Sequence, residues 1–150
     1  MSVVLKINFL KMCLFNEISK LIEGYSGTTV IVPSIDIFED LGVTGDDFHE
    51  LIDKYSKKFN VDMSNYLWYF HTNEEGSSIG SIFYKPPNER VKRIPVTPQM
   101  LVDFIKTKKW EVEYPKHEKP NGRIDIYVNY ILLILFLIFI IAWLLVRYTA

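Results

Sequence analysis

Residues 39–59 read EDLGVTGDDFHELIDKYSKKF, a short loop followed by an amphipathic segment, and this stretch decides the fold. Its apolar side chains recur at positions i, i+3, i+4, i+7 and i+11, which form a single stripe on a helix of 3.6 residues per turn. No strand has this spacing. The segment therefore predicts an α-helix with one buried face, formed by Phe48, Leu51, Ile52, Tyr55 and Phe59.

The start of this helix is marked by polar residues. Thr44 stands three residues before Asp47, the spacing in which a hydroxyl and a carboxylate each accept a backbone N–H at a helix start. The pattern predicts that the helix begins at Gly45 or Asp46. Carboxylates in the first turns and lysines in the last turns match the helix dipole. The carboxylates are Asp46, Asp47, Glu50 and Asp53, and the lysines are Lys54, Lys57 and Lys58.

This stretch resembles the second helix of acyl carrier proteins, whose usual form is an E-D-L-G loop, then D-S-L, then an acidic amphipathic helix. Gly45 stands where that family has the serine that carries phosphopantetheine. A phosphodiester to the prosthetic group needs a hydroxyl oxygen, which glycine lacks. The resemblance thus implies an acyl-carrier-like helical bundle that does not carry the group at Gly45, and we expect no cofactor. The matching positions are Leu41, Gly42, Asp47, Glu50, Leu51 and Phe59.

A second resemblance lies at residues 97–105, TPQMLVDFI, which are similar to the last carrier helix, T-V-x-D-L-V-D-Y-I. The local signals agree with a helix here, because Thr97 suits the cap and Pro98 suits the first helical position. An earlier apolar face over residues 5–25, including Phe9, Met12 and Ile18, predicts the first helix of the bundle. The chain's one cysteine, Cys13, lies on it and is expected to be buried.

Several of these features together resemble a bacterial domain-of-unknown-function family, number 1493, which is commonly described as acyl-carrier-like. They are G-D-D at residues 45–47, the exit after Phe59, the pair Tyr69 and Phe70, and a last helix ending near Trp110. The resemblance covers about residues 17–110, and it supplies no catalytic residue.

A C-terminal transmembrane helix is predicted by the 21 uncharged residues that begin with Ile126 and end with Val146. At about 1.5 Å per residue they span roughly 30 Å, the thickness of the hydrocarbon core of a bilayer. Asn129 is the one strongly polar side chain within the run, and we expect it near the interface. Aromatic residues stand near the two ends, as they do at membrane interfaces. They are Tyr127, Tyr130, Trp143 and Tyr148.

The order of these segments predicts a helical domain over residues 1–110, a linker over 111–123 and a single-pass, tail-anchored span over 124–148. Basic residues precede the uncharged run at Lys116, Lys119 and Arg123, and Arg147 alone follows it. The positive-inside rule therefore places the domain on the cytoplasmic side of the membrane, and the resemblance to the bacterial family implies a bacterial inner membrane. Between the helices, residues 65–70 are expected to form a short third helix, and residues 79–84 a short extended piece.

Catalytic and metal-binding motifs are absent from the sequence. The histidines His49, His71 and His117 are scattered, and none has a second ligand at metal-site spacing. The chain has no nucleophile elbow, phosphate-binding glycine loop or dinucleotide fingerprint, and its basic residues 85–93 lack a nucleic-acid recognition pattern. We therefore expect a protein that is not an enzyme and does not bind nucleic acid.

The favoured interpretation is a membrane-tethered, non-catalytic interaction module. Its acidic helix face, Asp46, Asp47, Glu50 and Asp53, would dock onto a basic protein partner. One alternative is an unconventional acyl or lipid carrier that holds its cargo elsewhere. A second alternative is a small membrane regulator or toxin in which the span is the active part. Carrier sites considered are Ser34, Ser64 and the aromatic group Tyr66, Trp68 and Phe70.

Overall fold

The structure is a computed structural model that describes residues 3–29, 32–76, 79–118 and 122–149. These residues form four α-helices and three short 3₁₀ helices, and they contain no β-strand. The all-α prediction is confirmed. The α-helices are α1 (Val3–Ser26), α2 (Gly45–Phe59), α3 (Pro98–Thr107) and α4 (Ile124–Thr149), and the 3₁₀ helices are η1 (Trp68–Phe70), η2 (Ile79–Ile82) and η3 (Pro87–Arg90).

Helix α2 begins at Gly45 and buries the whole predicted stripe. The hydroxyl of Tyr55 donates to the carbonyl oxygen of Leu101 at 2.8 Å and so joins α2 to α3. The predicted capping role of the Thr44 side chain is wrong, because that side chain makes no capping hydrogen bond. Instead, the N–H of Gly45 donates to Oγ1 of Thr72 at 3.1 Å, from a segment 27 residues away.

The core lies where α1 packs on both α2 and α3. Ile18 and Ile22 of α1 are fully buried, but Phe9 and Met12, predicted on the same buried face, are exposed. Cys13 is also exposed, so the prediction of a buried thiol is wrong. The apolar stripe of α1 extends beyond the helices that it packs against, and only its C-terminal part reaches the core.

Helix α3 starts as predicted, with Pro98 at its first position and Oγ1 of Thr97 accepting the N–H of Met100 at 3.3 Å. The exits of α2 and α3 meet in an isolated parallel bridge. The N–H of Asp62 donates to the carbonyl of Lys108 at 2.9 Å, and the N–H of Trp110 donates to that of Asp62 at 3.0 Å. These bonds hold the ends of the two helices side by side.

The connections differ from two predictions. Of the predicted helix 65–70, only Trp68–Phe70 is helical, because Leu67 donates its N–H to the Tyr114 hydroxyl at 3.1 Å. Residues 79–82 form the 3₁₀ helix η2 rather than an extended piece. There the carbonyl of Gly80 accepts the N–H groups of both Phe83 and Tyr84, at 3.1 and 2.9 Å, which closes a tight turn.

The domain core continues into the segment predicted as a linker. Val112 is buried in the core, and Tyr114 packs against it. Lys119, one of the basic residues used to predict the topology, lies outside the described residues. Beyond the linker, α4 is a single long apolar helix whose side chains from residue 130 to residue 148 are almost all exposed. It is long and apolar enough to cross a membrane.

Candidate functional site

The acidic face of α2 is the surface predicted to bind a partner, and all four of its carboxylate residues are exposed. Asp46, Glu50 and Asp53 follow an i, i+4, i+7 spacing, so they form one row along the helix. Asp47 lies beside the row in the first turn. The structure therefore brings the four predicted residues together on one accessible surface, hereafter the acidic face. It consists of Asp46, Asp47, Glu50 and Asp53.

Two residues of the acidic face make ion pairs within α2. Asp53 contacts the ammonium of Lys57 at 2.6 Å, and Glu50 contacts that of Lys54 at 3.5 Å. The Tyr25 hydroxyl of α1 also donates to Glu50, at 3.4 Å. More than half of each of the four paired side chains is exposed, and ion pairs of this kind contribute about 0.3–0.5 kcal/mol. A charged partner could therefore displace them at little cost.

Gly45, at the start of the acidic face, is buried and has a φ of +51°, a conformation that favours glycine. A Cβ built on this glycine would overlap the side chain of Glu75. Thr72 accepts the Gly45 N–H at the same place. The backbone at Gly45 is thus covered by Thr72 and Glu75.

Of the aromatic residues considered as an acyl-binding group, Phe70 lies in a hydrogen-bonded interior around His71. His71 is fully buried; its Nδ1 lies 3.0 Å from the Ile94 carbonyl and its Nε2 lies 2.9 Å from the Tyr114 hydroxyl. That hydroxyl also accepts the indole N–H of Trp110 at 2.9 Å. Phe70 is fully buried as well and packs on Tyr114. These rings fill the space between η1 and the segment after α3.

Burial lowers the pKa of His71 to about 4, although the hydrogen bond to the Ile94 carbonyl acts in the opposite direction. The ring is therefore neutral at pH 7. Since the Ile94 carbonyl can only accept, Nδ1 carries the proton and Nε2 accepts from Tyr114. Both ring nitrogens form hydrogen bonds inside the domain. The histidine is therefore arranged to support the fold and is not accessible as a general base.

The other predicted positions do not converge on a site. Ser34 is exposed in the loop before α2, and the Ser64 hydroxyl donates to Oδ2 of Asp62 at 3.1 Å. His117 contacts the Tyr69 hydroxyl at 2.8 Å, and His49 packs edge-on to Trp68. Within the described residues, no group of three or more histidine, cysteine or acidic side chains is arranged to hold a metal ion.

The structure shows a second polar cluster, which the sequence analysis missed, where the domain meets α4. The guanidinium of Arg123 contacts both carboxylate oxygens of Glu74 and lies 2.7 Å from Oδ2 of Asp125. Asp125 is only 2% exposed. One turn further along α4, Oδ1 of Asn129 accepts the N–H of Gly80 at 2.7 Å. Asn129, a polar residue within an apolar run, was the sequence signal for this contact.

The junction between the domain and α4 lies close to the start of α2. Residues 72–75 take part in both places, because Thr72 and Glu75 cover Gly45 while Glu74 binds Arg123. A cavity of about 540 Å³ opens between Glu75, Arg123 and Asp125. The short segment 72–75 thus contacts both the first turn of α2 and the start of α4.

Comparison with known proteins gives one family assignment. No curated protein and no solved structure matches the chain. The family described as "Protein of unknown function (DUF1493)" matches residues 13–113, which include α2, α3 and most of α1. The match covers about two thirds of the sequence and leaves α4 outside it. The chain therefore belongs to the DUF1493 family.

Proposed function

We propose that this protein is a membrane-tethered, non-catalytic, acyl-carrier-like interaction module that docks onto a basic surface of another protein through the acidic face of α2. The observation that carries the proposal is the exposure of the four carboxylates in one patch at the start of a helix. A partner with lysine or arginine side chains would meet complementary charge there. Such complementarity raises the rate and selectivity of association more than its affinity.

The environment of Gly45 supports a docking role over a carrier role. Acyl carriers need a hydroxyl at this position, and here the backbone is buried beneath Glu75, with its N–H bonded to Thr72. A module that keeps the acidic helix but lacks the attachment point retains the surface that a partner would bind. It loses the group that would be transferred.

The tether in this proposal is α4, placed in a bacterial inner membrane with the domain on the cytoplasmic side. A 26-residue helix whose apolar side chains are exposed on all sides between residues 130 and 148 is stable in lipid, where every backbone group is bonded within the helix. Restricting the domain to a membrane surface would raise its effective concentration for a partner on the same membrane.

The test compares partner recovery by charge-reversed variants of the full-length protein. After cross-linking in native membranes at low ionic strength, we expect the variant Glu50→Lys/Asp53→Lys to recover about tenfold less partner protein than the parent. This decrease corresponds to about 1.4 kcal/mol in the free energy of binding. The matched control is Glu111→Lys/Glu113→Lys, which makes the same change of charge at exposed residues after α3.

Two outcomes would count against the proposal. Equal recovery by the charge-reversed and control variants would exclude the acidic face as the docking surface. An intact mass carrying a phosphopantetheine or acyl adduct would favour the unconventional carrier instead. Circular dichroism of each variant establishes that a loss of recovery does not come from unfolding.

A further inference from the structure

Outside the acidic face, the domain exposes an apolar patch at η2. Large apolar side chains are exposed at four of six consecutive positions, with Ile82 78% exposed and Phe83 68% exposed. Exposed patches of this kind on soluble surfaces usually mark a contact with a partner or a membrane. We call this set the η2 patch, and it consists of Ile79, Ile82, Phe83 and Tyr84.

The η2 patch is held against the first turns of α4. The N–H of Gly80 bonds to Oδ1 of Asn129 at 2.7 Å, and a Cβ at Gly80 would overlap the backbone carbonyl of Asp125. Only a glycine allows so close an approach. The patch therefore has a fixed height along α4, level with the segment between Asp125 and Asn129, which is about 6 Å long.

This height coincides with the membrane boundary implied by α4. The uncharged run of α4 begins at Ile126, one residue after Asp125. Tyr127 and Tyr130 are exposed at the same level, where aromatic rings prefer the layer between headgroups and acyl chains. The bond from Gly80 also provides a donor for the side-chain oxygen of Asn129, the one strongly polar side chain in the uncharged run.

Basic residues follow the η2 patch along the chain. Lys85 comes directly after Tyr84, and Lys85, Arg90 and Lys92 are all exposed. A cavity of about 530 Å³ opens near the start of α4, lined in part by Arg90, Lys92 and Ile124. Basic side chains at this height would lie among lipid headgroups, where each contributes about 1 kcal/mol toward an anionic surface.

We propose that the η2 patch is a second membrane anchor, inserted into the interfacial layer of the leaflet that α4 enters, with Lys85, Arg90 and Lys92 on anionic headgroups. The inference rests on the tether in the proposed function and deepens it. Two attachments, one spanning and one interfacial, hold the domain in one orientation on the membrane.

The test measures the depth of fluorescent labels in the full-length protein. Single cysteines are introduced at Ile82 and Phe83 in a Cys13→Ser background and labelled with a polarity-sensitive fluorophore. The protein is reconstituted in vesicles of phosphatidylcholine with phosphatidylglycerol that contain lipids with a shallow or a deep spin-label quencher. Lys57→Cys, about 18 Å along α2 from Gly45, is the solvent control, and Phe136→Cys is the bilayer-core control.

We expect labels at residues 82 and 83 to show blue-shifted emission and quenching by the shallow spin label, and the label at residue 57 to show neither. The label at residue 136 should be quenched by the deep spin label. Quenching at residues 82 and 83 should weaken in phosphatidylcholine alone. Lys85→Glu/Lys92→Glu should remove this dependence on lipid charge.

The outcomes separate this inference from the tether itself. If residue 136 is quenched but residues 82 and 83 are not, the second anchor is wrong while the tether stands. If residue 136 is not quenched either, the membrane tether and the second anchor are both wrong. A blue shift at residue 82 without quenching by lipid would show that protein, a second copy or a partner, covers the η2 patch, and would overturn the inference.

Discussion

The backbone N–H of Gly80 donates to Oδ1 of Asn129 at 2.7 Å, and this bond joins the helical domain to the first turns of α4. The two residues are 49 positions apart in the sequence. Nearby, Arg123 binds Glu74 of the domain and Asp125 of α4. The domain and α4 are therefore connected by side-chain contacts as well as by the chain between them.

Replacing Gly80 by alanine should separate η2 from α4. The new Cβ would overlap the Asp125 carbonyl, and overpacking of this kind costs about 1–3 kcal/mol. We expect faster amide exchange at Phe83 and Tyr84, whose N–H groups bond to the Gly80 carbonyl. Hydrogen–deuterium exchange of the full-length protein in detergent micelles measures this change.

Gly24→Ala is the matched control for the Gly80 variant. Gly24 lies inside α1, and a Cβ there would meet no atom within 4 Å. Alanine in a helix interior is favoured over glycine by about 0.5–1 kcal/mol, so this variant should be as stable as the parent or more so. Unchanged exchange at Phe83 and Tyr84 in Gly80→Ala would show that the contact with α4 does not restrain η2.

Introducing a serine at Gly45 should not produce a carrier. The φ of +51° is strained for serine, and its side chain would overlap Glu75, so we expect a loss of about 1 kcal/mol or more in the free energy of unfolding. A phosphopantetheinyl transferase with coenzyme A should leave Gly45→Ser unmodified, as measured by intact mass.

A second variant separates the two causes of lost stability in Gly45→Ser, which are the strained backbone and the overlap with Glu75. Glu75→Ala/Gly45→Ser removes the overlapping side chain but keeps the strained backbone, so it should recover part of the lost stability. Efficient loading of the single variant Gly45→Ser would show instead that this surface still fits carrier enzymes. The docking argument from the covered glycine would then be wrong.

The stability of the domain should depend on pH through His71. Its pKa is lowered to about 4 in the folded protein, from 6.5 for an unperturbed side chain. Between these values the unfolded chain binds a proton that the folded protein does not, so the free energy of unfolding falls as the pH falls. The free energy of unfolding should fall by about 1.4 kcal/mol per pH unit between these values, and by about 3 kcal/mol in total.

Chemical denaturation at a series of pH values from 7.5 down to 4.5 measures this dependence. Stability should be level above pH 6.5 and should decline below it. Asp103 has a lowered pKa because it accepts from Lys106, so its contribution is lost only below about pH 4. His71→Gln should flatten the decline, and His49→Gln should keep it. An unchanged slope in His71→Gln would assign the proton uptake to another group.

The sequence was sufficient for elements with a long periodic pattern and insufficient for contacts between distant segments. The stripe from Phe48 to Phe59 predicted α2, and the uncharged run predicted α4. The capping pattern at Thr44 predicted a start at Gly45 or Asp46, and the helix begins at Gly45. Thr72, however, lies 27 residues from the Gly45 N–H that it accepts, so the local capping pattern of Thr44 was misleading. Periodicity shows which face of a helix is apolar, but not which part its neighbours cover.

The same limit applies to the candidate site. The acidic face lies within one helix, so its four carboxylates could be located from spacing alone. The cluster of Glu74, Arg123 and Asp125 joins residues about 50 positions apart, and no local pattern predicts such a pairing. Asn129 was visible as a polar residue in an apolar run, but its partner Gly80 depends on a turn that the sequence predicted to be extended.

Cys13 offers a direct test of the predicted orientation in the membrane. It is the single cysteine of the chain, and it is exposed on α1 within the helical domain. A membrane-impermeant maleimide can therefore label the protein only from the side on which the domain lies. With the domain in the cytoplasm, intact spheroplasts should give no labelling, and lysis should give complete labelling. In the Cys13→Ser background, a cysteine introduced at Tyr148 should react in intact spheroplasts, because that residue follows the uncharged run, which ends at Val146. Labelling of Cys13 before lysis would reverse the topology and would place the acidic face away from any cytoplasmic partner.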